Sequence, residues 1–231
     1  METAEITKLT ELEDSHWWYV ERRKILQRMV RGLPPAKVLD IGAAGGGNTR
    51  ALVAMGWEAI ALEYSEAGAR VGRARGLSVL RADARALPFP DGAFDLVIAF
   101  DVLEHVEEDD VMAAEIHRVL SDGGTALIAV PADMRLWSAH DVAVGHVRRY
   151  DRTTLEDVLT NAGLQIESLR SWNVLLRPIA KFRRRKSTGS DLEELSRVTN
   201  AALRAIVACE RFLPISSLPG VSLVARARRD G

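Results

Sequence analysis

Five short apolar runs, at 38–41, 59–63, 77–83, 94–100 and 125–130, alternate with stretches whose apolar residues recur at helical spacing. A continuous apolar run of this length suits a strand covered on both faces. Alternation with helices predicts a parallel, doubly wound α/β sheet. The helices between the runs are predicted over 49–55, 65–76 and 111–120, and Asp122-Gly123-Gly124 reads as a turn into the fifth strand. Beyond it, Thr153 and Glu156 have the spacing of a capping box and open another helix, which Ala162-Gly163 ends. Strands are expected over 164–172 and 221–226, making seven. Ahead of the sheet, 21–31 reads as a helix with Ile25, Leu26, Met29 and Val30 on one side, closed by Gly32 and Pro34-Pro35.

The first strand runs into Asp40-Ile41-Gly42-Ala43-Ala44-Gly45-Gly46-Gly47 and then a helix. Glycines let backbone approach a ligand closely, and a helix start offers unsatisfied N–H groups, so a nucleoside-type cofactor fits here. Ligands of such sheets sit at the carboxyl ends of the strands. Asp40, Glu63, Asp83 and Asp101 all fall at strand ends. Glu63 lies 23 residues after Asp40, where an acid can accept from both ribose hydroxyls, and Tyr64 beside it can pack on an adenine.

The stretch Asp40-x-Gly42-x-Ala44-x-Gly46 resembles the D-x-G-x-G-x-G motif of class I S-adenosylmethionine (SAM)-dependent methyltransferases, with alanine at the middle glycine. The run Leu87-Pro88-Phe89-Pro90-Asp91-Gly92-Ala93-Phe94-Asp95 is similar to the same family. His16-Trp17-Trp18-Tyr19-x-x-Arg22 and Asp141-x-x-x-Gly145-His146-x-Arg148-Arg149-Tyr150 look like stretches of small bacterial members of its type 11 group. The resemblance implies a Rossmann-like, mostly parallel seven-stranded sheet with an antiparallel last strand, and SAM as cofactor. It implies that Asp40, Gly42 and Gly46 lie along the methionine end, that Glu63 binds the ribose, and that Asp83 and Ala84 bind the adenine. It also implies an amino-terminal lid and an acceptor loop after strand five. The chain then divides into a lid (1–35), a SAM-binding core (36–132), an acceptor loop with strand six (133–172), a basic helical insert (173–220) and the last strand (221–231). Two other functions fit such a fold: an NAD-type oxidoreductase, against which the broken G-x-G-x-x-G pattern weighs, and a non-catalytic SAM-fold binding or regulatory protein.

Candidate chemistry gathers in two places. Asp101, Glu104 and His105, spaced by three and four, share a face if a helical turn begins there. They can order the loop, or His105 can act as a general base, because its ordinary pKa of ~6.5 suits neutral pH. Alternatively all three can hold Mg²⁺ or Mn²⁺. His146 and Tyr150, in the loop after strand five, are the other base candidates. The reaction expected is methyl transfer to a small-molecule or lipid-linked acceptor, at oxygen before nitrogen or carbon.

A net charge of −1 argues against a nucleic-acid partner. Within it, residues 172–231 carry 12 Lys/Arg against 5 Asp/Glu, and the remainder 19 against 27. The basic run 181–186 follows apolar 174–176 and 179–180, so 174–186 is a candidate for contact with a membrane surface. In the same insert, Ser190 and Glu193 read as a capping box for a helix with Leu192, Leu195, Ala202, Ile206, Cys209 and Leu213 on one stripe, a possible homodimer face. A single cysteine, an acidic amino terminus and no long apolar run suggest a cytoplasmic protein, at most peripheral to a membrane.

Overall fold

The computed structural model describes residues 9–184 and 195–230. Its elements in chain order are α1 (Trp17–Met29), β1 (Lys37–Ile41), α2 (Gly47–Ala54), β2 (Glu58–Glu63), α3 (Glu66–Ala74), β3 (Val79–Arg81), β4 (Phe94–Phe100), α4 (Asp109–Val119), β5 (Leu120–Pro131), α5 (Ala139–Val144), α6 (Arg152–Asn161), β6 (Leu164–Trp172), α7 (Arg177–Arg184), α8 (Arg197–Glu210) and β7 (Ser222–Arg229). Seven strands form one sheet in the order β3-β2-β1-β4-β5-β7-β6. Only β7 runs antiparallel, inserted between β5 and β6. Strand order reverses between β1 and β4, which sets the ligand crevice over their carboxyl ends.

Each face of the sheet buries its own cluster. One joins Leu39, Ile41, Val97 and Ile128 to α4 and α6. The other joins Val38, Leu96, Ile98 and Leu127 to α1, α8 and Trp172. Both faces are covered, which is why these strands read as unbroken apolar runs.

Several boundaries differ from those the pattern predicts. Helix α1 starts at Trp17, not residue 21, because the His16 side chain accepts from Trp18 N and caps it. The aromatics therefore lie in its first turn. The Asp122-Gly123-Gly124 turn does not precede β5 but lies inside it, as a bulge between the Phe94↔Leu120 and Leu96↔Thr125 pairs. Gly123 absorbs the extra residues at φ +74°. Helix α6 is capped by Asp151, not Thr153: its side chain accepts from Thr154 N, and Thr154 answers to the Asp151 backbone. The expected stripe of α8 is turned outward. Ala202, Ile206 and Cys209 are exposed, while Leu203, Val207 and Glu210 face the protein. Leu192 and the Ser190–Glu193 capping box lie outside the described residues, as do Arg185 and Lys186.

Candidate active site

Over the carboxyl ends of β1 and β4 lies a cavity of about 340 Å³, within the usual range for a small-molecule site. Its floor is the glycine turn, from Gly42 to Ala44 with Gly47 and Asn48, together with Phe100 and Asp101. Gly42 and Gly46 adopt φ +69° and +82°, a region that disfavours side chains. A Cβ at Gly42 would lie 2.5 Å from Val102 Cγ2, so the turn also packs too closely for one. Ala44 holds φ +46° where the family's middle glycine stands. Its N–H donates to Glu63 Oε2 at 2.8 Å, and Ser65 N donates to the other oxygen at 2.8 Å. The acid at the tip of β2 thus pins the turn.

Asp40 is not on the cavity wall. It is fully enclosed behind the turn, accepting from Thr49 Oγ1 at 2.5 Å. Burial, with Glu63 and Glu13 nearby, pushes its carboxyl up to about 7 despite the Thr49 hydrogen bonds. Its position there is that of a support for the turn. Gly46, Glu63, Tyr64, Asp83 and Ala84 also lie outside the enclosed cavity. Glu63, Asp83 and Ala84 follow or end the adjacent strands β2 and β3, and Tyr64 is 71% exposed beside Glu63. The Arg85 side chain and N–H hold the Asp83 carboxyl below its usual range.

The roof is the amino-terminal segment and, unforeseen from sequence, the insert. Trp17, Trp18, Tyr19 and Arg22 from α1 face Leu176, Ile179, Ala180, Arg183 and Arg184 from the segment around α7. Helix α8 fastens α1: Asn200 Oδ1 accepts from Trp17 N at 2.7 Å and Asn200 Nδ2 donates to Ser15 O at 2.8 Å. Arg184 donates to Leu136 O at 3.1 Å. The described part of 174–186 therefore does not form one solvated basic face. Leu176 is buried and its neighbours line the cavity, although Leu175 and Phe182 remain exposed.

The far wall carries the acid–base groups. His105 follows β4 in a single 3-10 turn, and its Nδ1–H donates to Gly145 O at 3.1 Å. Burial and the neighbouring His146 push its pKa down to about 4, so the ring is neutral at pH 7. His146 Nδ1–H donates to Asp141 Oδ1 at 2.8 Å. A neutral imidazole that donates through Nδ1 carries its lone pair on Nε2. His146 Nε2 lies 3.7 Å from Glu104 Oε1. Glu104 is fully buried and neither of its oxygens has a partner. Burial and Asp101 push its carboxyl well above the usual range.

Two expectations need correction here. Asp101 does not join Glu104 and His105, because Arg22 holds it through Nε and Nη2. His146 takes its place: ligand atoms of Glu104, His105 and His146 lie within 4.8 Å of one another. Tyr150 is not a base. Its hydroxyl donates to Asp109 Oδ2 at 2.6 Å in the protein interior, away from the cavity, and both burial and Asp109 raise its pKa.

Residues 39–128 match the family model described as "Methyltransferase domain". A probable S-adenosylmethionine-dependent methyltransferase of Mycolicibacterium smegmatis is 26% identical over 160 residues, covering 68% of this chain and 62% of that one. A demethylmenaquinone methyltransferase of Thermus thermophilus is 38% identical over 104 residues, covering 41% and 46%. The chain spans 62% and 58% of the length of the first two curated relatives it matches. A methyltransferase solved with the Trm112 methyltransferase activator of Haloferax volcanii superposes with a TM-score of 0.66 at 20% identity, covering 96% and 93%. A Haemonchus contortus phosphoethanolamine N-methyltransferase in complex with SAM does so at 0.62 and 18% identity, covering 90% and 52%. The strand order, with antiparallel β7 inserted between β5 and β6, differs from the 3-2-1-4-5-6 order of dinucleotide-binding sheets. Residues 39–128 thus match a methyltransferase domain, and the chain has the same fold as the solved methyltransferases it superposes on.

Proposed function

We propose that this protein transfers the methyl group of SAM to a small-molecule or lipid-like acceptor, at oxygen in preference to nitrogen or carbon. The observation that carries the reading is one cavity with the glycine turn and Asp101 on one wall and His105 and His146 on the other. The cofactor's adenosine follows the strand tips, with adenine at Asp83 and Ala84, beside Tyr64, and ribose at Glu63. SAM supplies a sulfonium-activated methyl group. The protein's part is to align the nucleophile and remove its proton. His146 is the base this geometry favours, since Asp141 accepts from its Nδ1 and leaves Nε2 as the nitrogen that can take a proton from the acceptor. The roof of α1 and α7 seats the acceptor and excludes water.

Thermal unfolding with S-adenosylhomocysteine (SAH) tests the cofactor. At 100 times its dissociation constant, SAH is expected to stabilise the protein by ~2.7 kcal/mol. Glu63→Ala, which removes the ribose acceptor, is expected to abolish most of the shift. An unchanged melting temperature in the wild type sinks the reading. Turnover of any acceptor separates an enzyme from a non-catalytic SAM-binding protein.

A second reading of the proton step is favoured by Glu104. Its two oxygens lack hydrogen-bond partners, and one ligand atom of Glu104 lies within 4.8 Å of one each from His105 and His146, so a divalent cation bound there would acidify an acceptor hydroxyl. Two nitrogens and a carboxylate suit Zn²⁺ or Mn²⁺ better than Mg²⁺. Protein equilibrated with Zn²⁺ and then dialysed is expected to retain one equivalent by elemental analysis, and His146→Ala to retain none. If both retain equal metal, or neither any, the base reading stands alone.

A further inference from the structure

The roof of the cavity has an outer side. Between Leu175 and Arg184, α7 and the turn before it carry four cations and no acid. Two of the four are engaged within the protein, Arg177 by Asp133 and Arg184 by the Leu136 carbonyl. Lys181 is half-buried and Arg183 exposed. Interleaved with these cations are apolar side chains that the fold does not cover: Leu175 is 40% exposed, Ile179 53% and Phe182 60%. Spacings of four and three put them along one side of the segment. The end of α8 lies beside it, because Glu210 Oε1 accepts from Leu175 N at 2.7 Å. Just past Glu210, Phe212 and Leu213 are exposed as well, with the Arg211 guanidinium 4.3 Å from the centroid of the Phe212 ring.

Aromatic and aliphatic side chains mixed with cations match the boundary of an anionic bilayer. There the apolar groups enter the acyl region and the cations meet the phosphates. A second copy of the same face is a poorer match, since it would set cations against cations. The position of the face matters as much as its chemistry. Ile179 lines the cavity and is also half-exposed, and the exposed Arg183 lines it too. The mouth of the cavity therefore borders this face. Behind the mouth, Trp17, Trp18, Leu176 and Leu203 make an apolar wall.

We infer that the outer face of α7, with Leu175, Phe182 and the neighbouring Phe212 and Leu213, rests on an anionic membrane surface, and that the acceptor is a lipid drawn from that membrane through the adjoining mouth. The second half of this inference rests on the methyltransferase reading above and narrows its acceptor. A lipid entering there passes from the bilayer to the apolar wall without exposing its chain to water.

Sedimentation of the full chain with phosphatidylglycerol vesicles, and separately with phosphatidylcholine vesicles, tests it. Binding is expected to the first, weakening as salt is raised to about 0.5 M, and to be much weaker for the second. Leu175→Ser with Phe182→Ser is expected to weaken binding to phosphatidylglycerol roughly 10-fold or more, the scale of one large apolar side chain kept out of the bilayer. Lys181→Gln is expected to weaken it about fivefold, and serves where the double variant does not fold. None of the three residues lines the cavity, so SAH affinity is expected to stay within about twofold of wild type in both variants. No binding to phosphatidylglycerol at low salt overturns the inference, as does binding undiminished in both variants. A wild type that is dimeric in solution and a double variant that is monomeric also overturn it, since the face is then an interface between copies. Vesicle binding as expected, with no SAH binding to the wild type, overturns the methyltransferase reading and the acceptor route while the membrane contact stands.

Discussion

Asp141→Ala is expected to destabilise the protein by about 3–5 kcal/mol, the range for removing one partner of a buried ion pair. For a chain of this length that is a fall of roughly 6–20 °C in melting temperature. Asp141 is fully buried and accepts from Arg149 Nε at 2.8 Å, His146 Nδ1 at 2.8 Å and Ser138 N at 2.9 Å. Arg149 Nη2 lies 2.7 Å away, and that side chain is 1% exposed. Burial alone would raise the Asp141 carboxyl, but His146 and Arg184 hold it below its usual range. Truncation strands the Arg149 cation in the interior, removes one half of the α5 capping box and frees the His146 ring to take the other tautomer. A fall of less than about 2 °C would mean that Arg149 finds another partner. On the function proposed above, turnover falls further than stability accounts for, because the base loses its orientation. Measuring turnover well below the variant's melting temperature separates the two effects.

Asp40 is expected to make stability fall as pH rises from about 4 to about 7. Its carboxyl is pushed up to about 7 in the folded protein, from 3.8 in the unfolded chain. Between those values folding takes up a proton. The contribution is therefore complete below about 4 and is lost as pH passes through about 7. At 1.36 kcal/mol per pKa unit the full effect is about 4 kcal/mol. Urea unfolding of wild type and Asp40→Asn across pH 4–8 reads it as a difference, which cancels the other titrating groups. Asparagine keeps an acceptor for Thr49 Oγ1 and has no proton to lose, so the variant's curve is expected to be flatter by that amount. Parallel curves would show that water reaches Asp40 and holds its carboxyl near the ordinary value. On the expected outcome, Asp40 beneath the glycine turn carries less than a full negative charge near pH 7.

The strands and the glycine turn were legible because their signals are local. A buried parallel strand must be apolar at successive positions, and 94–100 and 164–172 coincide with β4 and β6. A turn that brings Gly42 to φ +69° against Val102 needs glycine there, whatever the rest of the chain does. The insert was less legible. Helix α8 has apolar residues on more than one side, and Ile206 with Cys209 forms as regular a stripe as Leu203 with Val207. Which stripe is buried depends on the position of α1, and Asn200 and Arg204 decide that by bonding to Trp17 and Glu21 across 183 residues. The basic run was legible only in part, for a related reason. Arginines look solvated in sequence, yet Arg183 and Arg184 lie on a cavity wall.

The sequence by itself determined the α/β class, the glycine turn, and the acids at the strand tips. These depend on spacing within some twenty residues and on the chemistry of single side chains. Only the tertiary structure decided which candidate groups meet. It withdrew Tyr150 into a bond with Asp109, 41 residues away, gave Asp101 to Arg22, 79 residues away, and brought His146 to Glu104 and His105. Those choices follow from how the lid, the acceptor loop and the insert close over the sheet. A buried charge takes the partner that this closure brings nearest, and no local pattern encodes that distance.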